Sequence, residues 1–421
     1  VKELLRLKQV RSWDFSDKAH FLYQVTRFLY DGQYGDAFTA YDIRIRPDFS
    51  GSQTVLGKHL LQLTGSFGKD FTPLAQWIYN YVYDGTTPVN IWLEYEKEPS
   101  CQLQLRIQFF QSGAIGDLVK EIIYSEDDLK EPILLDEFER YYLAFCLEAK
   151  GEGELKIGAL HKRYSHGPFG EMTVGAQTLR DSKRQEIFAY FHPGDMKPPL
   201  NIYFSGYRPA EGFEGFVMMR RMGSPFILFS DPRLEGGSFY MGSQELEDQI
   251  VAYIDQYLDW LGFGPKEMNF SGLSMGTFGA LYYGSSYSPH AILVGKPIVN
   301  LGDVAANLKF KRPDEFGTSL DMMQLLVGQV SREGIDLLNQ RFWDRFNQAD
   351  LKDTILAMAY MRDDDYDQLA YPKILEALYD HPVRIISSSR PGRHNDASAP
   401  IVEWFLTQYK EIMERDFGRI E

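Results

Sequence analysis

A serine between two glycines is the clearest chemical signal in this sequence. Ser274 lies in the pentapeptide GLSMG at residues 272–276, after a stretch at 267–271 typical of a short buried strand and before a helix-like stretch at 277–283. In a G-x-S-x-G elbow the serine occupies a strained strand-to-helix turn, where larger flanking side chains would collide. The helix N-terminus favours developing negative charge, so this pattern predicts a nucleophile that attacks a carbonyl carbon.

Such a nucleophile needs a general base, and the expected chain order is serine, acid, histidine. His394 follows a predicted strand at 382–387 and precedes a predicted amphipathic helix at 397–413. His381 precedes its strand, His290 follows the elbow helix, and the other histidines lie upstream of the serine. The order of elements therefore predicts that His394 is the base.

The acid is expected where a strand ends between the serine and the histidine. An apolar run of strand length covers residues 353–361 and is followed by the aspartates Asp363, Asp364, Asp365 and Asp367. Such a charge run is also typical of a solvated turn. The spacing from the strand end favours Asp364 as the acid, and Asp365 and Asp363 remain as alternatives.

An acyl-transfer site also needs two backbone N–H groups for the oxyanion. Met275, directly after the nucleophile, is the predicted first donor. A predicted strand at 200–205 exits through Gly206, which lets the backbone approach closely, so Tyr207 is the predicted second donor. Arg208 either holds an anionic or carbonyl group over the pocket or is an ordinary surface arginine.

The surrounding elements predict how these residues are brought together. Short alternating strands separated by turns fill residues 41–164, whereas strand-like and helix-like segments alternate further along the chain. We predict an α/β-hydrolase-like parallel sheet in residues 166–421, preceded by a β-rich, sandwich-like domain at 1–165 with glycan binding as one reading of its role. The mostly helical segment 304–346, which we call the cap segment, is predicted to cover the site.

Composition limits the function further. A chain of 421 residues favours two domains, and its net charge of −15 argues against binding nucleic acid or anionic lipid. No apolar run is long enough to span a bilayer, and the two cysteines, Cys101 and Cys146, fit buried reduced thiols of a cytoplasmic protein. No zinc-ligand spacing or nucleotide-binding glycine motif is present, so we expect no bound metal or cofactor. An aromatic content of 14% favours glycan contact slightly, although large cores also explain it.

The sequence resembles the accessory Sec system O-acetyltransferases of Gram-positive bacteria. The resemblance lies in FSGLSMGTFGALYYG at 270–284, with support from the acid segment 359–367 and the RHND loop at 393–396. It implies an enzyme of esterase-like fold that transfers acetyl groups to N-acetylglucosamine on serine-rich repeat glycoprotein adhesins. It also implies that the protein acts in the cytoplasm, beside the membrane translocon. Its implied partners in export are the accessory motor ATPase and the other accessory Sec proteins.

On this resemblance the roles of nucleophile, base and acid fall on Ser274, His394 and Asp364. The acetyl donor stays unknown, because no coenzyme A loop is recognisable. Two alternative functions remain open at this point. One is a carbohydrate esterase with the same three residues, in which water replaces the sugar; the other is a non-catalytic secretion chaperone whose elbow is a relic.

Overall fold

The computed structural model describes residues 18–113 and 116–419. The chain forms two compact units that divide after Ala176, downstream of the predicted boundary at 165/166. Residues 1–17 of the predicted first domain lie outside the described residues.

A local reason explains why the first unit extends past residue 165. The His166 ring donates a hydrogen bond from Nδ1 to the Phe28 carbonyl at 2.8 Å. Ser165 also forms an isolated antiparallel bridge with Glu171. These contacts keep the segment that follows the last strand of the first unit within that unit.

The first unit is a β structure. Its elements are helix α1 (Lys18–Arg27) and strands β1 (Gly35–Phe38), β2 (Ile43–Ile45), β3 (Ser52–Leu56), β4 (Leu60–Trp77), β5 (Tyr81–Tyr83), β6 (Val89–Lys97), β7 (Cys101–Gln111), β8 (Leu118–Ser125), β9 (Ile133–Leu135) and β10 (Tyr141–Tyr164). Strands such as β7 alternate buried and more exposed side chains, as a sheet with one face on a core requires. The β-rich character expected of this region is therefore present.

The arrangement of these strands differs from the predicted sandwich. Hydrogen bonds join all ten strands into one sheet with antiparallel pairings. The long strand β10 pairs with β4 on one edge and with β7 and then β6 on the other, with register shifts around Gly151. Bulges bend strands, so one continuous sheet can curve around the buried side chains of Phe67, Leu105 and Phe145.

The second unit alternates strands and helices. Its elements are β11 (Gln177–Arg180), β12 (Glu186–His192), β13 (Leu200–Phe204), α2 (Phe216–Met222), β14 (Phe226–Ser230), α3 (Gln244–Leu261), β15 (Met268–Leu273), α4 (Met275–Gly284), β16 (Ala291–Gly295), α5 (Leu301–Lys311), α6 (Ser319–Val327), α7 (Arg332–Phe346), β17 (Ile355–Met361), α8 (Ala370–Ala377), β18 (Arg384–Arg390) and α9 (Ser398–Phe417). Within the described residues, no helix has the length and apolar character needed to cross a membrane.

Eight strands of this unit form one sheet in the order β11-β12-β14-β13-β15-β16-β17-β18. The pairings from β14 to β18 are parallel, and β12 runs antiparallel to both of its neighbours. Every residue of β13, β14 and β16 is buried, as expected of parallel strands covered on both faces. The predicted α/β organisation of this region is confirmed.

The sheet brings the predicted site residues to one edge. Ser274 follows β15, Asp364 follows β17 and His394 follows β18, while Gly206 and Tyr207 follow β13. Because these strands are parallel, their carboxyl ends meet at the same edge, where ligands bind in open α/β sheets.

The cap segment is helical, as predicted, and consists mainly of α5, α6 and α7. Four of its large side chains take part in packing. Met322 and Met323 are completely buried, Phe316 packs against the Phe239 ring at 6.0 Å, and Trp343 donates its indole N–H to Asn300 Oδ1 at 3.0 Å. These residues hold the cap segment against the rest of the second unit, which explains why they are large and apolar.

Candidate active site

The turn that carries Ser274 is strained and sterically crowded. Ser274 has φ +51° and ψ −119°, and its N–H donates to the Gly295 carbonyl at 2.8 Å. A Cβ on Gly272 would lie 2.2 Å from the Gly276 carbonyl oxygen, and a Cβ on Gly276 would lie 2.0 Å from that of Phe204. Both glycines are therefore required by close backbone approach, and the serine is held in a conformation that a free chain seldom adopts.

A continuous chain of hydrogen bonds runs from this serine to a carboxylate. Ser274 Oγ lies 2.8 Å from His394 Nε2, and His394 Nδ1 lies 2.8 Å from Asp364 Oδ2. With Nδ1–H donating to Asp364, Nε2 is the acceptor for the serine hydroxyl. His394 and Asp364 are almost fully buried, so water competes little for either contact. This arrangement has the geometry needed to remove a proton from a nucleophile.

The environment of Asp364 keeps it ionised. Its Oδ1 accepts the backbone N–H groups of Tyr366 at 2.9 Å and Asp367 at 3.2 Å. Burial favours a higher pKa for Asp364, but the hydrogen bond and charge of His394 together with these two N–H groups lower the pKa below its usual value. Asp364 therefore meets the histidine as a carboxylate, which orients the ring and favours its charged form.

The two alternative acids contact the histidine loop elsewhere. Asp363 Oδ2 accepts the Gly392 N–H at 3.1 Å, and Asp365 Oδ1 accepts the backbone N–H of His394 at 3.0 Å. Of the three candidate aspartates, Asp364 is the one at the ring nitrogen. The other two shape the loop that presents the ring.

Asp367, the last aspartate of the run, anchors a different loop. Its Oδ2 accepts the N–H groups of Val299 at 2.8 Å and Asn300 at 2.7 Å, and its Oδ1 accepts the Asn300 side-chain amide at 2.8 Å. Burial raises the pKa of Asp367 in spite of these donors. Each of the four aspartates of the acidic run thus has specific contacts of its own, so the run is not simply a solvated turn.

The predicted oxyanion donors belong to two segments whose backbones approach each other closely at the elbow. Met275 is the first residue of α4, so the helix leaves its N–H unpaired. In the opposite loop, a Cβ on Gly206 would come within 3.0 Å of the Leu273 carbonyl oxygen, and Tyr207 is the next residue. Tyr207 has a largely exposed side chain. The close approach of the two backbones supports the assignment of both N–H groups, which stays a prediction.

The β13 exit loop is fixed by a carboxylate that sequence reasoning missed. Glu214 Oε2 accepts the Gly206 N–H at 2.8 Å and the Tyr203 hydroxyl at 3.0 Å. Arg208 donates from Nη1 to the Phe213 carbonyl at 2.5 Å, so its guanidinium is engaged in closing the loop. A single glutamate in a loop belongs to no motif, which is why it could not be predicted from the sequence.

A buried lysine beside the site was also missed. Lys296 directly follows β16, has φ +61°, and is only 7% exposed. Its Nζ donates to Ser398 Oγ at 3.1 Å. Burial lowers the pKa of Lys296, although the nearby charges of Asp364 and Glu214 act in the opposite direction. A positive φ at the residue after a strand cannot be recognised from the string Gly-Lys-Pro alone.

The fold and the site define a class: a mixed α/β protein whose serine, histidine and aspartate are hydrogen-bonded at the carboxyl edge of a parallel sheet. The chain belongs to the accessory Sec system GspB-transporter family, whose model matches residues 1–419. The resemblance to accessory Sec proteins found in the sequence is therefore confirmed.

Two curated relatives and one solved structure illustrate this membership. An accessory Sec system protein of Streptococcus gordonii is 46% identical over 406 residues, which cover 96% of this chain and 80% of the relative. That of Staphylococcus aureus (strain NCTC 8325 / PS 47) is 45% identical over 394 residues, 93% of this chain and 75% of the relative. The Glycosylation Associate Protein (Gap123) complex from Streptococcus agalactiae contains a chain that matches with a TM-score of 0.95 and 40% identity, covering 100% of this chain and 81% of its own.

Proposed function

We propose that this protein is a serine-dependent O-acetyltransferase that modifies N-acetylglucosamine on serine-rich repeat adhesins and supports their export by the accessory Sec system. The observation that carries the proposal is the hydrogen-bonded chain from Ser274 Oγ through His394 to Asp364. Such a chain is what nucleophilic acyl transfer requires. Membership of the GspB-transporter family supports the link to adhesin export.

The first step forms an acetyl-enzyme of α/β-hydrolase type. Ser274 Oγ attacks the acetyl carbonyl carbon while His394 Nε2 takes the hydroxyl proton, and Asp364 stabilises the imidazolium. The N–H groups of Met275 and Tyr207 hold the oxyanion, and each such donor is worth about 3–4 kcal/mol to the transition state. The bond to the donor's leaving group then breaks, and His394 returns the proton to that group.

The second step moves the acetyl group to the sugar. A hydroxyl of N-acetylglucosamine attacks the ester carbonyl, His394 accepts its proton, and the proton returns to Ser274 as the enzyme is regenerated. Exclusion of water by the cap segment favours sugar over water as the attacking group. The acetyl donor is left unassigned, and no metal or bound cofactor enters either step.

The proposed setting is the cytoplasm, beside the membrane translocon. The proposed partners are the adhesin, the accessory motor ATPase and the other accessory Sec proteins. The Streptococcus agalactiae relative was solved as a complex, which supports association with further proteins of the same system.

Mass spectrometry of adhesin glycans from cells that carry Ser274→Ala tests this function. Ser286→Ala is the matched control, because Ser286 lies after the end of α4 and its Oγ accepts a hydrogen bond from Arg345 Nε instead of contacting the histidine. A transferase predicts that Ser274→Ala removes O-acetyl groups from the glycans while Ser286→Ala leaves them in place. A carbohydrate esterase predicts that acetylation rises in Ser274→Ala. Unchanged acetylation together with normal export in Ser274→Ala would contradict a catalytic role and would favour the non-catalytic secretion chaperone.

A further inference from the structure

The backbone of the candidate base is tied to the cap segment through Asp365. Asp365 Oδ1 accepts the His394 N–H at 3.0 Å, and Oδ2 lies 2.9 Å from Arg312 Nη1 and 2.9 Å from Arg393 Nη2. Arg312 belongs to the cap segment, just after α5, whereas Arg393 precedes His394 in the chain. One carboxylate thus connects the histidine loop to the cap segment.

The ring of the candidate base is tied to the same part of the cap segment through Tyr366. The Tyr366 and His394 ring centroids are 4.5 Å apart, at an angle of 41°. The Arg312 guanidinium lies 4.6 Å from the Tyr366 ring centroid, and the Tyr366 hydroxyl donates to Glu315 Oε2 at 2.8 Å. Arg312 Nη2 donates in turn to Glu315 Oε1 at 2.8 Å. The turn between α5 and α6 therefore reaches both the backbone and the ring of His394.

The two arginines at Asp365 differ in burial. The Arg312 side chain is 11% exposed and that of Arg393 is 58% exposed, although both lie at the same distance from Asp365 Oδ2. Exposed ion pairs contribute little because water screens them, whereas removing one partner of a buried pair leaves the other charge poorly solvated. The Arg312 contact is an ion pair whose Nη1 and Oδ2 are buried and not aligned as a hydrogen bond, so the loss of Arg312 leaves the Asp365 carboxylate poorly solvated.

We propose that Arg312 is a positioning residue for acyl transfer. Through its contacts with Asp365 and Tyr366, it holds the His394 imidazole against Ser274 while the α5–α6 turn packs on these two residues. This inference rests on the proposed function. The contact between His394 Nε2 and Ser274 Oγ is a single hydrogen bond of 2.8 Å. A displacement of about 1 Å in such a site costs on the order of 100-fold in rate, so anchoring both the backbone and the ring has a large effect.

Three variants of the full-length protein test the inference: Arg312→Met, Arg312→Lys, and Arg393→Met as the matched control. The probe is p-nitrophenyl acetate, and the measurements are kcat, KM and the number of competent serines titrated to completion with a fluorophosphonate. We expect Arg312→Met to lower kcat per competent site about 10- to 100-fold with KM nearly unchanged. Arg312→Lys regains part of the rate, since it restores the charge without the planar fork, and Arg393→Met stays within about twofold.

The outcomes separate this inference from the proposed function. If the wild-type protein neither hydrolyses the ester nor reacts at Ser274, the proposed function fails whatever the arginine variants do. If the wild type is active and Arg312→Met matches Arg393→Met in rate per competent site, the positioning role is overturned.

A fall in the number of competent sites with an unchanged rate per site also overturns the positioning role, because it marks a purely structural effect. Should Arg312→Met fail to fold, Arg312→Lys decides the matter. A rate per site at least about threefold below wild type supports the inference, and an unchanged rate contradicts it.

Discussion

At the scale of single residues, the orientation of His394 depends on the charge of Asp364. Asp364→Asn keeps the shape of the side chain but removes its charge: an amide N–H facing Nδ1 disfavours the tautomer with a free Nε2, and an amide oxygen facing Nδ1 stabilises the imidazolium less than a carboxylate does. We expect kcat for ester hydrolysis to fall by about 10³- to 10⁴-fold, as in other serine triads. Asp363→Asn is the control, because Asp363 contacts Gly392 rather than the ring, and it should retain activity. Equal losses in the two variants would argue against Asp364 as the orienting acid.

The second prediction at this scale concerns the stability of the protein and Lys296. Burying this ammonium costs free energy, so Lys296→Met should raise the free energy of unfolding by about 1 kcal/mol at pH 7. Because the pKa of Lys296 is lowered in the folded state, the penalty is fully present at neutral pH. It disappears as the pH rises through the folded pKa towards about 10.4, the ordinary value in the unfolded chain.

Urea unfolding of both proteins at several pH values measures this difference. Lys183→Met, at an exposed lysine, is the control and should change stability by no more than about 0.5 kcal/mol. A destabilised Lys296→Met protein at pH 7 would contradict the account and would mean that the ammonium has stronger partners than Ser398.

Single residues also show what could and could not be predicted from the sequence. The run of aspartates gave three candidate acids, and spacing from the strand end selected Asp364. The sequence could not show that the neighbouring carboxylates have contacts of their own, since those depend on partners such as Gly392 and Asn300 from other loops. Lys296 and Glu214 were missed for the same reason: the sequence places neither near the elbow, and only the fold does.

At the scale of elements, the elbow depends on how closely β13 approaches the start of α4. A Cβ on Gly276 would lie 2.0 Å from the Phe204 carbonyl oxygen, a backbone atom that cannot move aside. We expect Gly276→Ala to destabilise the protein by about 2–3 kcal/mol and to abolish ester hydrolysis, because relief of the clash displaces Ser274.

Gly264→Ala is the matched control for the elbow. The φ of Gly264 is −94°, and the nearest atom to an added Cβ is 3.9 Å away. Gly264→Ala should therefore change the free energy of unfolding by no more than about 0.5 kcal/mol. Thermal unfolding and ester hydrolysis of the two variants measure the contrast. If Gly276→Ala behaved like Gly264→Ala, the crowded elbow described here would be wrong.

The parallel sheet was predictable because local signals agreed with one another. Strand-like runs alternate with helix-like segments, and each predicted catalytic residue stands in the turn or loop that follows such a run. The β-rich unit was predictable only in its composition. Alternation identifies strands, but it does not say which strands pair, so the single sheet built around β10 could not be told from a two-sheet sandwich.

At the scale of the whole molecule, each unit has a hydrophobic core of its own. Phe67 and Phe145 belong to the core of the first unit, and Phe204 and Phe278 belong to that of the second. The three residues of the proposed catalytic chain all lie in the second unit. The chemistry proposed for this protein therefore belongs to the second unit. The family model, in contrast, matches nearly the whole chain.

The most direct test of the account is intact-mass spectrometry of the full-length protein after brief exposure to an activated acetyl ester and an acid quench. If Ser274 is the nucleophile, the wild-type protein gains one acetyl group on Ser274, Ser274→Ala gains none, and His394→Ala gains the group much more slowly. An adduct of the same size and rate in Ser274→Ala, or its location on another residue of the wild-type protein, would contradict the claim that Ser274 is the nucleophile.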